Sequence, residues 1–120
     1  MTNEELNHRI AEEVMGWTFS NPETWDLTRG WRDKNGVLCR YTFNPAGKIS
    51  HSWLVVEEME RRGFRFSVGY GGPVVCWGAD FEREDEDRPG KIGSAFGEAR
   101  AQTAPIAICL AALEAVGGEP

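Results

Sequence analysis

The chain has 120 residues, 13 Lys and Arg against 19 Asp and Glu, a formal net charge of −6, and 41% hydrophobic residues. Such a length predicts a single domain over 1–120 that can bury a core without disulfide or metal staples. The acidic balance excludes broad affinity for nucleic acid, because phosphate contacts need clustered Lys and Arg.

Cys39, Cys76 and Cys109 are odd in number and form no CxxC pair, which argues against a disulfide framework or a zinc site and suits a reducing cytosol. The opening MTNEELNHRIAEE lacks the basic-then-apolar run of a signal peptide, so none is expected. Thr2-Asn3-Glu4-Glu5 is a capping box, the start signal of a helix. Leu6, Ile10 and Val14 then recur every four residues with Glu5, Arg9, Glu12 and Glu13 turned outward, predicting an amphipathic surface helix that ends at Gly16.

Trp17-Thr18-Phe19 leaves that helix extended, and Ser20-Asn21-Pro22 breaks it. Thr24 to Arg32 predicts a short strand, Asp33-Lys34-Asn35-Gly36 a hairpin turn, and Val37 to Phe43 the returning strand. After the turn Asn44-Pro45-Ala46-Gly47 a second helix is expected, with Ser50 as its cap and Ile49 and Leu54 as a hydrophobic staple. Trp53, Val55, Val56 and Met59 form its buried side, and Gly63 ends it.

Phe64, Phe66 and Val68 alternate with Arg65, Ser67 and Gly69, the period of a strand with one buried face. Tyr70-Gly71-Gly72-Pro73 turns the chain, and Val74 to Phe81 returns it with Val75, Trp77, Ala79 and Phe81 on one side. The charged stretch 82–102, which overlaps the acidic run DFEREDED from Asp80 to Asp87, predicts a long loop. Thr103 to Val116 closes the chain as a helix whose only charge is Glu114, opened by Thr103 and Pro105 and stopped by Gly117 and Gly118. Ile106, Leu110 and Leu113 mark its large side, and Ala104, Ala107, Ala111 and Ala112 a smooth side that can lie close to a sheet. It is a core helix, shorter than the about 20 apolar residues that cross a bilayer. The expected fold is α+β, a three-layer α/β/α sandwich around a four-stranded, mainly antiparallel sheet in the order α-β-β-α-β-β-α.

The segments Leu6-Asn7-His8-Arg9-Ile10-Ala11-Glu12 with Gly16-Trp17-Thr18, the step Tyr41-Thr42, Trp53 to Met59 leading to Gly63-Phe64, and Thr103 to Leu113 together resemble the phage ABA sandwich domain family. The resemblance spans nearly the whole chain. It implies the three layers already reached from periodicity, a phage or prophage origin and a bacterial cytoplasm as the place of action, and it brings no catalytic motif. The stretch 82–102 is longer and more acidic than the family pattern.

Chemistry is sparse in the sequence. His8 and His51 stand beside no nucleophile or carboxylate in a recognisable motif and read as surface or capping residues. No HxxxH, HxH or calcium-loop spacing is present, so neither metal nor cofactor is expected. Gly69-Tyr70-Gly71-Gly72 lacks the Lys-Ser or Lys-Thr of a phosphate loop and reads as a turn. Five tryptophans with arginines near them exceed what so small a core needs, and Trp and Arg are the residues most enriched in binding hot spots. The candidate ligand- or partner-binding residues are therefore Trp25, Trp31, Arg32, Arg40, Arg65, Tyr70 and Trp77, with Trp25, Trp31 and Arg32 expected at the surface and Trp17 and Trp53 in the core. The expected function is a non-catalytic binding protein that sequesters a nucleotide signal or blocks a host protein, as in antagonism of a bacterial defence. The alternatives are an accessory phage protein that assembles with itself or a virion component, and a small nucleotide hydrolase using the 80–87 carboxylates. No membrane association is expected.

Overall fold

Helix α1, Asn3–Arg9, begins where the sequence places it: the Thr2 hydroxyl accepts the Glu5 N–H at 3.1 Å. The structure, a computed structural model, describes residues 1–20, 29–72, 75–83 and 96–117. Beyond Arg9 the helix widens into a π turn, Ile10–Val14, in which the Met15 N–H donates to the Ile10 carbonyl. Leu6, Ile10, Ala11 and Val14 are buried, so the narrow stripe read from the sequence is the face that packs.

Strands β1 (Thr18–Ser20), β2 (Gly30–Arg32) and β3 (Leu38–Arg40) form one antiparallel sheet with β2 in the middle. Asp33 closes the β2–β3 turn, its carboxylate accepting the N–H groups of Asn35 and Val37. Helix α2, Ile49–Arg61, follows, and then a second antiparallel sheet: β4 (Arg65–Gly71), β5 (Cys76–Glu82) and β6 (Phe96–Ala101), with β5 central. Helix α3, Ala104–Gly117, ends the described chain.

The four-stranded sheet and its α-β-β-α-β-β-α order are thus corrected to two three-stranded sheets and α-β-β-β-α-β-β-β-α. The sequence hides both added strands for physical reasons. β1 is three residues long, too short to show a period. β6 reads FGEARA, poor in the branched and aromatic residues that favour strands, and it owes its conformation to pairing with β5 and to cover by α3. The expected loop 82–102 therefore contains a strand, while 84–95 lie outside the described residues. Within the first hairpin, the strand expected over Thr24 to Arg32 is Gly30–Arg32, and the return expected over Val37 to Phe43 is Leu38–Arg40; a register shift between Trp31 and Arg32 interrupts the ladder.

α2 departs from expectation at its start. Its N-cap is Lys48, without a side-chain hydrogen bond, and Ser50 and Ile49 are both exposed. Its inner side carries His51, Ser52, Val55, Val56 and Met59, which rotates Trp53 to the rim, where it is 48% exposed over Phe66. The other end is as read: Gly63 at φ +94° lets the Phe64 N–H reach the Met59 carbonyl and its own N–H reach Glu60. Arg62 ties this end to the first helix by donating to the Val14 carbonyl.

α3 lies across β5 and β6 and also meets α2, α1 and the π turn. Ala107, Ile108, Cys109, Ala111, Ala112, Leu113 and Ala115 are buried, with Ile106, Leu110 and Val116 partly so. Burial pushes the Cys109 thiol up to about 12, which fits a packing role. The approach to β6 is close enough that a Cβ on Gly97 would lie 2.1 Å from the Ala111 carbonyl oxygen and 2.4 Å from the Ala115 nitrogen. Backbone cannot yield as a flexible side chain does. Gly97→Ala is expected to lower stability by about 3 kcal/mol, roughly 10 °C in Tm for a domain of this size, in thermal unfolding followed by circular dichroism.

Candidate functional site

The aromatic side chains gather between α1 and the first sheet. His8, on the exposed side of α1, sets its ring 5.0 Å from Trp31 and 5.9 Å from Phe19, and Phe19 meets Trp31 at 5.2 Å. The β1–β2 register makes this unavoidable, since Phe19 and Trp31 are direct cross-strand partners. The Arg29 guanidinium sits 5.4 Å over the Phe19 ring. With Glu4, Asn7, Tyr41, Thr42 and Phe43, these residues line a cavity of about 490 Å³. Phe43 is the back wall, held edge-on by Trp17 and stacked on His51 at 5.9 Å.

A polar lattice fixes that wall. The Asn7 side chain donates to Asn44 Oδ1 and accepts the Ala46 N–H, both at 2.8 Å, fastening α1 to the loop that leads into α2. Asn44 in turn donates its backbone N–H to His51 Nδ1 at 2.9 Å. His51 is 8% exposed, and its basicity is lowered by burial first, then by the charges of Arg40 and Lys48. Arg40 donates from Nε to the Thr42 carbonyl at 3.2 Å.

A second concavity, about 300 Å³, lies on the face of the β4–β6 sheet turned away from α3. Its floor is Gly69 and Gly78, its ends Ser67, Asp80, Glu98 and Arg100. The Asp80 carboxyl is raised above its ordinary value of 3.8, by burial first and then by Glu98 and Glu82. Among the described residues no group of three His, Cys, Asp or Glu side chains could hold a metal ion.

The sequence-derived candidates are scattered by the fold. Trp31 is in the aromatic cavity but 3% exposed, not at the surface, because β1 and α1 cover it. Arg40 is its cross-strand neighbour and lies behind the cavity. Arg32 instead donates to the Gly36 carbonyl at its own turn. Tyr70 and Trp77 pair at 5.2 Å at the far end of the second sheet, and Arg65 reaches Glu82 at 3.8 Å on the opposite face of that sheet. Trp25 lies outside the described residues. His8, Phe19, Phe43 and His51 were not among the candidates; a period of two over the expected strand Val37 to Phe43 sets Tyr41 and Phe43 on one side and is the signal that points to Phe43.

A small α+β domain, with helices packed on an antiparallel sheet and an aromatic cavity walled by its first helix, is the class these features define. The chain belongs to the phage ABA sandwich domain family, whose model matches residues 8–113, and its α+β architecture fits that name. It is therefore a phage-type protein. No significant match is found among curated proteins or among solved structures. None of the described helices is long and apolar enough to cross a membrane.

The raised Asp80 pKa gives a signed prediction. An acid whose native pKa is raised favours folding below its ordinary value and opposes it once ionised. Asp80→Asn should raise Tm at pH 7, and the gain should vanish as pH is lowered through about 3.8, in scans of both proteins across pH.

Proposed function

We propose that this protein is a non-catalytic, phage-encoded binding protein of the bacterial cytoplasm, whose aromatic cavity holds a planar small ligand such as a nucleotide signal and so withholds it from the host. One observation carries the reading: a cavity of about 490 Å³ walled by His8, Phe19, Trp31 and Phe43, with Arg29 and Tyr41 at its sides. Aromatic planes beside a guanidinium suit a base, and stacking contributes about 1–3 kcal/mol per base. The volume falls in the range of small-molecule sites. The phage family supports the setting, since a phage acts inside a bacterium.

Incubation with a panel of mononucleotides and cyclic nucleotides should raise Tm for at least one, and heat should release that ligand chemically intact. Tyr41→Ala, at a residue 65% exposed, should weaken the binding about ten-fold or more without changing the Tm of the free protein. Absence of any shift across the panel would end the reading, and a cleaved ligand would replace it with a hydrolase.

A second reading, an accessory phage protein that assembles with itself, is favoured by the exposed apolar stripe of Ile49, Trp53, Val68 and Tyr70 along α2 and the edge strand β4. Light scattering should then give a mass above 13.4 kDa that falls on Val68→Lys. A monomer at high concentration would exclude it.

A further inference from the structure

His51 and Arg40 meet in a way that neither can satisfy alone. The Asn44 N–H points at His51 Nδ1 from 2.9 Å, and a backbone N–H cannot turn away. Nδ1 therefore accepts and carries no proton, so the neutral ring must carry its proton on Nε2. Nε2 lies 3.1 Å from Arg40 Nη2. A guanidinium only donates. Two N–H donors thus face each other at hydrogen-bond distance, with no acceptor of their own between them. Protonating the ring worsens the conflict, because Nδ1 would then oppose the Asn44 N–H as well.

Donors held against one another invite a shared acceptor, and the surroundings say of what charge. Arg40 is fixed in plane by its Nε bond to the Thr42 carbonyl, so its Nη2 edge stays aimed at the ring. Lys48 lies close enough for its charge to act on the imidazole. His51 sits in the first turn of α2, a 13-residue helix whose N-cap supplies no side-chain acceptor. Its positive dipole end is therefore unopposed there by a cap. Among the described residues, the charges acting on His51 are those of Arg40 and Lys48, both positive. His51 as a residue is 8% exposed and its ring is stacked on Phe43, so it is held in place before any ligand arrives.

We propose that Arg40 Nη2 and His51 Nε2–H form a binding subsite for a phosphoryl group or similar tetrahedral oxyanion, with Lys48 and the start of α2 as outer positive charge. The subsite adjoins the aromatic cavity. Thr42, whose carbonyl holds Arg40, and Phe43, which stacks on His51, both line it. A ligand whose planar ring lies in the cavity and whose phosphate reaches Arg40 and His51 would use both; this joint use rests on the function proposed above, and the oxyanion subsite does not.

The test is a long-range ¹H–¹⁵N NMR spectrum of the histidine side chains during titration with inorganic phosphate, against sodium chloride at matched ionic strength. The free protein should show His51 as the neutral Nε2–H tautomer, and phosphate should move its signals saturably where chloride does not. His51→Asn, which keeps an oxygen to accept the Asn44 N–H but removes the Nε2 donor, should weaken phosphate binding about ten-fold by calorimetry. Arg40→Ala should do the same, and it carries the comparison if the Asn variant does not fold. An Nδ1–H tautomer, or equal responses to phosphate and chloride, would overturn the subsite.

Adenosine and adenosine monophosphate separate it from the cavity. Binding of both with equal affinity would overturn the joint use of cavity and subsite and leave the cavity reading intact. Phosphate binding with no tryptophan fluorescence response to either adenosine compound would uphold the subsite and count against the cavity reading for this base.

Discussion

Everything in the second half of this protein is set by how closely α3 can lie on β6. Gly97 removes the one Cβ that would strike the Ala111 carbonyl, and Ala111 and Ala115 keep the helix side equally low. At that separation the main chains are nearly in contact, so β6 is pressed against the helix and completes its ladder with β5. Dispersion falls off steeply with distance, and small residues at the seam let larger ones, Phe81 and Ile108, close around it without voids.

The first half is organised differently, by polar ties across an aromatic layer. Asn7 bridges α1 to the loop at Asn44 and Ala46, and Arg62 binds the Val14 carbonyl. Each tie satisfies polar groups that partial burial would otherwise leave costly. Between them sit Trp17, Phe19, Trp31 and Phe43, whose edge-on contacts leave one concave side. The cavity thus lies where the first helix, tied at Asn7 to the loop before α2 and at Val14 to the end of α2, stands over the first sheet with aromatic side chains between them. His51 belongs to the same arrangement, a buried ring kept neutral so that a main-chain amide has somewhere to donate.

The two sheet faces differ in what they offer. Toward α3 the second sheet presents Phe66, Trp77, Ala79 and Phe81, an apolar surface made for a helix. Away from it the same strands present Ser67, Gly69, Gly78, Asp80 and Glu98, where glycine leaves the peptide planes bare and carboxylates crowd one another. Period two separates these sets strictly, so a strand that reads as half-buried also specifies its wet face.

Long, strongly periodic segments were legible in the sequence: the capping Thr2, the stripe Leu6, Ile10 and Val14, the β4–β5 hairpin, the stop at Gly63 and the final helix with its single charge all depend on interactions within a few residues. Local physics suffices there, because caps, turns and one-sided burial act over one or two turns of chain. The candidate site was legible only in pieces, Trp31 and Arg40, since a residue's solvent exposure depends on what else packs on it. Tertiary structure alone decided that Trp31 is covered and Trp53 bare, that FGEARA is a strand, and that His8 lines the cavity while His51 stacks on its wall at Phe43. Each of those outcomes is a contact between segments distant in sequence, and no local propensity encodes which distant surface will arrive.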